Sequence, residues 1–451
     1  MKAGASKWAQ KIIRKGVSYR TGKLYPRRRR KRLNKEDSAK LTKVVEEYKS
    51  QGILVAPKDP TSVVVLDHFP VEKKSGGHRL VTNFVPANNV AVKPEAFKLI
   101  QPREVGQYLH QNAYLCSVDL SDAYNHLRLA DNMPRMGIMV GKEVLEWKAM
   151  GFGLSHAPRN FVLLLREALK TIRHLGIVVL DYVDDLLVVG EDKEEAELAT
   201  QVVVRHLERL GWSISKEKSV MTASTSLEYL GFTWNTTDLT VSIGRKKRIG
   251  LLKLVNKLYR RTMVSRRDVA RVHGALMAAT WGVHMGRYKT RELQMWLTKH
   301  GTEWDVKYPL TQEIREELVW WRKELSHTAM AHPFQPSPVA DVVIHTDASD
   351  TGYGALLEVL HGDLKTPDVL QGHWNKEWAG KRIETKELWI ACQALTHYIT
   401  LLQLKKATVK IFVDSQVALS YLVKMKGGRK RKLNRLLSKT WKLMRERERD
   451  T

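Results

Sequence analysis

Two adjacent aspartates, Asp184 and Asp185, lie between two apolar runs, residues 177–180 and 186–189. This pattern predicts two buried strands that are joined by a tight acidic turn. Burying two carboxylates without a counter-charge is costly, so we expect a cation at the tip of this hairpin. An isolated Asp-Asp pair is more often a solvated turn, but the apolar flanks argue against that alternative here.

A third carboxylate and a basic hairpin precede this turn. Asp119 closes an apolar strand, as a metal-binding carboxylate would. Two β-like runs between residues 63 and 85 are joined by a basic turn that contains Lys73, Lys74 and Arg79. Arginine donates hydrogen bonds in a fork and lysine supplies a point charge, so such a hairpin is suited to holding a triphosphate. Many surface hairpins are basic for solubility alone, and this signal is therefore weak by itself.

A second group of acids lies nearer the C-terminal end. Asp347 ends a predicted strand, Glu387 lies on a predicted helix over residues 384–402, and Asp414 ends an alternating strand over residues 409–413. Three acids delivered by strand, helix and strand indicate a second metal site. Each of them alone would be an ordinary cap or surface charge.

The composition indicates a globular protein with a polyanionic partner. The chain has 451 residues and 43% apolar content, and Lys+Arg 76 against Asp+Glu 48 give a formal charge of +28. Such an excess favours nucleic acid over a small acidic metabolite, with a solvated basic surface as the alternative. The two cysteines cannot build a disulfide framework or a cysteine-rich zinc knuckle. No apolar run reaches the roughly 18–20 residues that span a bilayer, so we expect an intracellular protein, in cytoplasm or nucleus, without a membrane partner.

Several elements must position these groups. Asp37 or Ser38 is expected to cap a helix that carries Leu41 and Tyr48 on its apolar face. Asp122 is placed to cap the element that follows Asp119. Residues 246–297 are mostly helical in pattern, with a capping box that begins at Ser265. A loop of small residues, 148–161, has Gly153 where the backbone could approach a ligand closely. Tryptophans mark packing more often than base stacking; the candidates here are Trp281, Trp296, Trp304, Trp320 and Trp321.

These motifs together resemble a reverse transcriptase joined to a ribonuclease H domain, from about residue 38 to about residue 446. The motif Tyr182-Val183-Asp184-Asp185 with its apolar flanks is highly specific when it occurs together with the other motifs. The other matching motifs are Asp119 with Asp122-Ala123-Tyr124, Phe152-Gly153-Leu154-Ser155 through Ala157-Pro158 and Phe161, Lys218, and Leu230-Gly231-Phe232, where the family has its primer-gripping hairpin. The chain looks closest to the DIRS-like, tyrosine-recombinase type of retrotransposon, on residues that include Lys73-Lys74, Phe97-Lys98, Ala157-Pro158-Arg159, Gly427-Gly428 and Leu433-Asn434-Arg435-Leu436. A pararetrovirus or a long-terminal-repeat element would share much of this pattern.

The resemblance implies a fold and a domain order. We expect an α+β right-hand polymerase, with fingers, palm and thumb, followed by a connection and an RNase H-like α/β domain. The predicted segments are a basic arm at 1–36 with an Arg/Lys run at 27–32, fingers and palm at 37–235, a helical thumb and connection at 236–340, and the RNase H-like domain at 341–451.

The resemblance also implies roles for single residues. Nucleotide addition uses two Mg²⁺ ions about 3.5–4 Å apart, with Mn²⁺ as a possible substitute, and Asp119, Asp184 and Asp185 would hold them. Lys73 or Lys74 with Arg79 would neutralise the triphosphate. Tyr124 would crowd a ribose 2′-hydroxyl, Phe152 and Gly153 would border the incoming nucleotide, and Lys218 would protonate or neutralise the departing pyrophosphate. A solvated surface lysine is nearly as good an interpretation of Lys218.

In the second domain, the resemblance makes Asp347, Glu387 and Asp414 three of the four acids that bind two Mg²⁺ for cutting the RNA strand of an RNA–DNA hybrid. Asp450 is a better match to a terminal charge than to the fourth acid, so we expect this domain to lack its C-terminal end and its nuclease activity to be in doubt. The family often has an Asp-aromatic-Arg triplet after the basic hairpin, where this chain has Asn83-Phe84-Val85.

The leading hypothesis is an RNA- and DNA-dependent DNA polymerase whose partners are an RNA template, a DNA primer, an RNA–DNA hybrid and deoxynucleoside triphosphates. One alternative is a domesticated, non-catalytic nucleic-acid-binding protein, although all three polymerase carboxylates are retained. Another is a general RNA-binding scaffold, which would not explain two separate groups of acids.

Overall fold

The computed structural model describes residues 4–25, 34–72, 77–283, 285–327, 331–335, 339–360, 368–403, 407–424 and 437–444. The chain divides into two compact units, Met1–Leu227 and Glu228–Thr451. The domain boundaries predicted from the sequence stay predictions. Within the described residues, no helix is both long and apolar enough to cross a bilayer.

The first unit combines helices with short and long strands. Its helices are α1 (Lys7–Lys15), α2 (Lys35–Ser50), α3 (Val85–Val90), α4 (Pro102–Val105), α5 (Ala157–His174) and α6 (Lys193–Arg209). Its strands are β1 (Leu54–Val55), β2 (Val64–Val65), β3 (His68–Glu72), β4 (His78–Thr82), β5 (Tyr114–Leu120), β6 (Met136–Val140), β7 (Glu143–Trp147), β8 (Val178–Tyr182), β9 (Asp185–Gly190) and β10 (Ile214–Ser224), with β11 (Ser226–Tyr229) at the division between the units.

A central antiparallel sheet with strand order β10-β5-β9-β8 carries the acidic turn. Strands β8 and β9 confirm the hairpin predicted from the two apolar runs, and residues 186–190 are buried. Helices α5 and α6 pack against the sheet with apolar faces that include Phe161, Leu165 and Val203. The turn is therefore fixed by a buried sheet and not by the acidic residues themselves.

Two smaller sheets complete the first unit. One has the strand order β1-β7-β6-β2, and the other is the β3–β4 hairpin. This hairpin confirms the two β-like runs predicted between residues 63 and 85. Its connecting residues Lys73 and Lys74 lie outside the described part of the chain, as does the Arg/Lys run at 27–32.

Several described residues of the predicted basic N-terminal arm are packed against the rest of the first unit. Helix α1 buries Ala9 and Ile12, and Val17 forms a parallel bridge with Leu129. The Tyr19 ring stacks on His156, with 4.1 Å between the ring centroids. The described residues of this segment are thus packed, because a few well-spaced apolar residues suffice to bury a short helix.

Two helix caps differ from their predictions. Helix α2 begins at Lys35, and the Asn34 side chain, not Asp37 or Ser38, accepts the capping hydrogen bond, from the Asp37 N–H at 2.6 Å. Asp122 precedes a short 3₁₀ helix with φ +50° and makes no side-chain capping bond. The capping box from Ser265 to Asp268 is confirmed.

The second unit combines a group of helices with short strands and a mixed sheet. Its helices are α7 (Arg245–Tyr259), α8 (Arg266–Met277), α9 (Arg291–Lys299), α10 (Gln312–Ser326), α11 (Lys376–Ala379), α12 (Ile383–Leu401) and α13 (Gln416–Lys424), and residues 437–444 are also helical. Its strands are β12 (Phe232–Asn235), β13 (Thr240–Ile243), β14 (Met263–Ser265), β15 (Lys307–Pro309), β16 (His332–Pro333), β17 (Val342–Ala348), β18 (Gly352–Val359), β19 (Asp368–His373) and β20 (Val409–Val413).

The helices α7 to α10 share one apolar core, in which Trp296 and Trp321 are buried. The packing role predicted for the tryptophans therefore holds for these two. Trp304 differs, because 48% of it is exposed and the Arg266 guanidinium lies 4.8 Å from its ring centroid.

The mixed sheet has strand order β19-β18-β17-β20, with β17 parallel to β20 and the other pairs antiparallel. Helix α12 packs on β17 and β18. These elements confirm the predicted strand, helix and strand that carry the second group of acids.

A buried glutamate joins two of the helices in the second unit. The Glu317 carboxylate on α10 accepts the N–H groups of Glu292 at 3.0 Å and Leu293 at 2.9 Å, in the first turn of α9. Thr290, the N-cap residue of α9, makes no side-chain capping bond, so Glu317 supplies the cap from another helix. Burial nevertheless raises the Glu317 pKa to about 7, because the two N–H groups offset only part of the desolvation.

This pKa predicts that the second unit loses stability as the pH rises. The folded state holds a proton on Glu317 up to about pH 7, whereas the unfolded carboxyl has its ordinary pKa of 4.5. Its contribution to the free energy of unfolding therefore falls between pH 4.5 and about 7. Thermal melting should show a decline from pH 5 to pH 8 that Glu317→Gln flattens, while Glu316→Gln, an exposed neighbour, keeps the wild-type profile. An identical pH profile in Glu317→Gln would contradict this account.

Candidate active sites

The acidic turn brings three carboxylates to one place on the central sheet. Asp119 on β5 lies directly opposite Asp185 on β9, and the Leu120 N–H donates to the Asp184 carbonyl at 2.9 Å. Val183, between β8 and β9, has φ +56°, a conformation that β-branched residues rarely adopt. Such strain persists only where the surroundings impose it, and here the two buried strands do so.

A bulge in the neighbouring strand directs a lysine at this group. The register of β10 against β5 shifts between Ser215 and Val220. Within the shift, the Asp119 N–H donates to the Ser219 Oγ at 3.0 Å. The Lys218 Nζ lies 3.1 Å from Asp119 Oδ1, and 62% of its side chain is exposed. Lys218 is therefore not simply a solvated lysine, because it pairs with a carboxylate of the predicted site.

The electrostatics of the turn show a shortage of positive charge. Burial, followed by the neighbouring charges of Asp184 and Asp119, raises the pKa of Asp185 to about 7. The Asp184 pKa is also raised, first by burial and then by Asp119, while Lys218 and Arg79 act to lower it. Carboxyl groups with raised pKa values in one cleft are a physical signature of a functional site.

The carboxylate oxygens of Asp119, Asp184 and Asp185 are of the kind that bind divalent cations. The ligands would be carboxylate oxygens, which Mg²⁺ and Mn²⁺ accept, and the Lys218 ammonium already provides one positive charge beside Asp119. Across the described residues, however, no three His, Cys, Asp or Glu side chains are spaced as a complete metal site. The metal roles of Asp119, Asp184 and Asp185 therefore stay predictions.

Residues predicted to contact the nucleotide also converge near the turn. The Tyr124 ring lies 4.9 Å from the Phe152 ring, centroid to centroid, and the Arg79 guanidinium lies 5.4 Å from the Phe152 centroid. Burial raises the Tyr124 pKa, and the nearby charge of Asp184 adds to the shift. The structure thus places Arg79, Tyr124 and Phe152 together with Asp184, whereas Lys73 and Lys74 lie outside the described residues.

The loop at residues 151–155 is held by residues that the sequence analysis did not assign. Asn88 on α3 donates from Nδ2 to the Gly153 carbonyl at 2.9 Å and accepts the Ser155 N–H at 2.9 Å. Gly153 has φ +99°, which a residue with a side chain would resist. A Cβ on Gly151 would meet the Phe84 ring at 2.6 Å. Phe84 belongs to the Asn83-Phe84-Val85 triplet, which differs from the Asp-aromatic-Arg triplet of the family. Its ring packs against Gly151 and so supports the loop.

Asp181 was likewise not assigned from the sequence, although it precedes the acidic turn by only three positions. It is 6% exposed, and its carboxylate accepts from Arg166 Nε at 2.8 Å and Arg173 Nη2 at 2.7 Å. Both arginines lie on α5, so the pair ties β8 to that helix. The only sequence signal is an aspartate in an apolar strand, because the pairing with α5 depends on how that helix packs against β8.

The second group of acids lies at the ends of β17 and β20 and on α12. Glu387 is 4% exposed, and its Oε1 accepts the Ala348 N–H at 3.0 Å. Its buried Oε2 has no hydrogen-bond partner among the described residues. Burial, with the charges of Asp347 and Asp414 as lesser causes, raises the Glu387 pKa. Asp347 and Asp414 are exposed, so a cation entering from solvent could reach all three acids.

A cavity of about 570 Å³ adjoins Asp347. Tyr353, Gln371 and His373 are among the residues that line it. Here too, the described residues contain no three His, Cys, Asp or Glu side chains spaced as a complete metal site. The metal roles of Asp347, Glu387 and Asp414 therefore also stay predictions. Asp450 lies outside the described residues.

Residues 71–234 match the family model described as reverse transcriptase (RNA-dependent DNA polymerase). The matched range includes Asp119, Asp184 and Lys218, together with the nucleotide-contact candidates. It ends before the helices of the second unit. This segment is therefore a reverse transcriptase domain.

Known relatives are polyproteins of retroelements. The enzymatic polyprotein of Cauliflower mosaic virus (strain Strasbourg) is 24% identical over 337 residues, which cover 72% of this chain and 45% of the relative. The Gag-Pol polyprotein of Rous sarcoma virus subgroup C is 27% identical over 201 residues, which cover 42% of this chain and 12% of the relative. The chain thus spans less than half of the length of these relatives.

Solved structures of the foamy viral protease-reverse transcriptase share the fold. The form in complex with double-stranded DNA matches with a TM-score of 0.59 at 18% identity, covering 96% of this chain and 71% of that one. The form in complex with an RNA/DNA hybrid matches with a TM-score of 0.54 at 16% identity, covering 95% and 54%. The chain accordingly has a mixed α+β polymerase fold with an RNase H-like domain.

The Asp181 contacts predict how firmly the acidic hairpin is held. Asp181→Asn keeps the shape but leaves Arg166 and Arg173 without their anionic partner. Both arginine side chains are about a third exposed, so we expect the free energy of unfolding to fall by only about 1–2 kcal/mol. Urea denaturation measures this, with Asp131→Asn as the matched control, since its exposed pair with Arg128 should contribute little. Equal stability of the two variants would contradict the assignment.

Proposed function

We propose that this chain, through the reverse transcriptase domain at residues 71–234, synthesises DNA on RNA and DNA templates, and that its second unit holds an RNase H-like domain for the RNA strand of RNA–DNA hybrids. The observation that supports the polymerase most strongly is the cluster of Asp119, Asp184 and Asp185 with the raised pKa of Asp185. A fold alone would not support an activity, whereas this arrangement of charge has a chemical use.

The proposed reaction joins a primer 3′-hydroxyl to the α-phosphorus of a deoxynucleoside triphosphate and releases pyrophosphate. Asp119 and Asp184 would hold divalent cations, Mg²⁺ or Mn²⁺, with Asp185 more peripheral. Two such cations lower the pKa of the attacking hydroxyl and neutralise charge on the leaving group. The chain contributes the carboxylates, their fixed spacing on β5 and the β8–β9 turn, and a partly buried cleft that strengthens these interactions.

The nucleotide would be held by the residues around Phe152. Arg79, with Lys73 or Lys74, would neutralise the triphosphate. Tyr124 would limit the space at the ribose 2′ position and so favour deoxynucleotides, and Gly153 would let the loop backbone approach the nucleotide. The contacts among Arg79, Phe152 and Tyr124 support this assignment.

Lys218 would act on the leaving group. Its Nζ is paired with Asp119. The ammonium would donate a proton to, or neutralise, the departing pyrophosphate. The pair with Asp119 keeps Lys218 beside the acidic turn.

The second unit would cut the RNA strand of an RNA–DNA hybrid. Asp347, Glu387 and Asp414 would hold two divalent cations, and the unpartnered Oε2 of Glu387 supports a role as ligand. The foamy viral structures contain double-stranded DNA or an RNA/DNA hybrid, and we propose the same classes of nucleic acid here, in line with the charge of +28.

Among retroelements we propose the DIRS-like type, on the motifs at residues 73–79 and 152–159 and at residues 427–436. The relatives named above come from a caulimovirus and a retrovirus. We also propose an intracellular location, where template and nucleotides are available.

The polymerase is tested by primer extension on an RNA template with deoxynucleotides and Mg²⁺. Asp184→Asn should lower the extension rate by about 10³-fold or more, because it removes a charged ligand of the reacting centre, and should spare binding of the duplex. Asp131→Asn, an exposed aspartate outside the site, should extend at the wild-type rate. Labelling the RNA strand in the same reaction follows cleavage, which Asp347→Asn should abolish without changing extension.

Tight, salt-sensitive binding of the duplex without extension by the wild-type protein would contradict the polymerase proposal. It would favour the non-catalytic nucleic-acid-binding alternative. Extension without RNA cleavage would retain the polymerase and remove the nuclease.

A further inference from the structure

The hairpin turn between β11 and β12 is strained. Leu230 and Gly231 have φ values of +54° and +75°, so both central residues are left-handed, as in the tight turns that suit twisted strands. Glycine adopts this conformation freely, but leucine pays about 1–2 kcal/mol for it. A strained turn persists only when neighbouring structure holds it. The structure of the second unit shows what holds this one.

The first support is the N-terminus of α7. The Gly244 N–H donates to the Gly231 carbonyl at 3.0 Å, and Gly244 is the N-cap residue of α7. A Cβ on Gly244 would meet the carboxylate of Glu228 at 2.5–2.9 Å, so that carboxylate lies against the start of the helix. A negative charge at a helix N-terminus is favourable. The hairpin and α7 are therefore joined on both sides of the turn.

The second support is Lys247, in the first turn of α7. Its Nζ lies 3.9 Å from the centroid of the Phe232 ring and donates to the Ala278 carbonyl at 2.9 Å. Its aliphatic stem packs on the turn, since a Cβ on Gly231 would lie 2.9 Å from Lys247 Cδ. Phe232 is 1% exposed, and Ala278 is the C-cap residue of α8. One side chain thus joins the hairpin, α7 and the C-terminus of α8.

This lysine differs from its basic neighbours. Arg245 and Lys246 are exposed, as is usual for side chains that meet phosphate groups, whereas Lys247 is partly buried. Burial lowers the Lys247 pKa to about 8, with Glu228 acting in the opposite direction. An ammonium that gives up hydration is kept only where its contacts compensate, and the ring and carbonyl supply that compensation.

We infer that Lys247 is a positioning residue that fixes the Leu230–Gly231 turn to helices α7 and α8, so that these three elements bind the primer–template duplex as one unit. This inference rests on the proposed polymerase function, which makes the turn the primer-gripping hairpin. Lys247 acts through Phe232 and Gly231, and it is not itself a phosphate contact.

The test compares Lys247→Met with Lys246→Met, its exposed neighbour on the same helix. Equilibrium binding of a primer–template duplex is measured over a range of salt concentrations, together with thermal melting and the KM for deoxynucleotide. Lys247→Met should weaken duplex binding about ten-fold, through loss of one cation–π contact and one charged hydrogen bond. The slope of log Kd against log salt should stay at the wild-type value, because no phosphate contact is lost. The KM for deoxynucleotide should be unchanged.

The controls separate positioning from other roles. Lys246→Met should change affinity about two-fold, and any change should come with a smaller salt slope, as expected for a phosphate contact. Lys247→Arg should recover most of the affinity, because arginine also stacks on an aromatic ring and donates to a carbonyl. A purely structural lysine would lower the melting temperature and leave duplex affinity below that temperature unchanged.

Wild-type affinity in Lys247→Met, or a reduced salt slope, would overturn the inference. If Lys247→Met does not fold, Phe232→Leu serves instead: it removes the ring, must weaken duplex binding without changing the salt slope, and overturns the inference if affinity is unchanged. Failure of the polymerase proposal is recognised separately, because wild-type protein would then bind the duplex without extending the primer.

Discussion

The repulsion among Asp119, Asp184 and Asp185 is the constraint on which the first unit depends. The β5–β9 register sets Asp119 opposite Asp185, and the turn delivers Asp184 beside them. Burial, followed by the neighbouring charges of Asp184 and Asp119, raises the pKa of Asp185 to about 7, so desolvation and repulsion together disfavour the charged form of this group. The buried sheet, the helices α5 and α6, and the tie from Asp181 to α5 supply the stability that keeps the three groups together.

The second unit also brings three carboxylates together, but their mutual repulsion is weaker. Only Glu387 is buried, while Asp347 and Asp414 face solvent at the ends of parallel neighbouring strands. The repulsion there is screened by water, and the Glu387 Oε2 has no hydrogen-bond partner among the described residues. The two groups of acids therefore differ in how strongly their carboxylates are buried.

The local elements could be predicted from the sequence because their causes are local. The acidic hairpin follows from two apolar runs, the capping box at Ser265 from residues three positions apart, and the mixed sheet from alternating strands that end in aspartate. The helix α1 was missed because its apolar residues are few and lie in a basic segment. The cap at Asn34 was missed because the helix extends beyond the apolar pattern that defines it.

The supporting contacts could not be predicted, since they join side chains on different elements. Asp181 pairs with Arg166 on α5, and Glu317 caps helix α9. Lys247 lies over the ring of Phe232 in the hairpin that precedes α7. Lys218 was identified by motif position. Its pair with Asp119 depends on a register shift in β10 that the sequence pattern of this strand does not predict. Such contacts depend on register and packing, which the complete fold decides.

We propose that the Asp119, Asp184 and Asp185 group and the Asp347, Glu387 and Asp414 group are two cation sites. Counting bound Mn²⁺ tests this proposal most directly. Electron paramagnetic resonance reports free Mn²⁺ during titration of the wild-type protein and of Asp184→Asn, Asp347→Asn and their double variant, with Asp131→Asn as the control. The account predicts that each site variant binds less Mn²⁺, that the two losses add, and that the control binds as the wild type does. Undiminished Mn²⁺ binding by folded Asp184→Asn would contradict it.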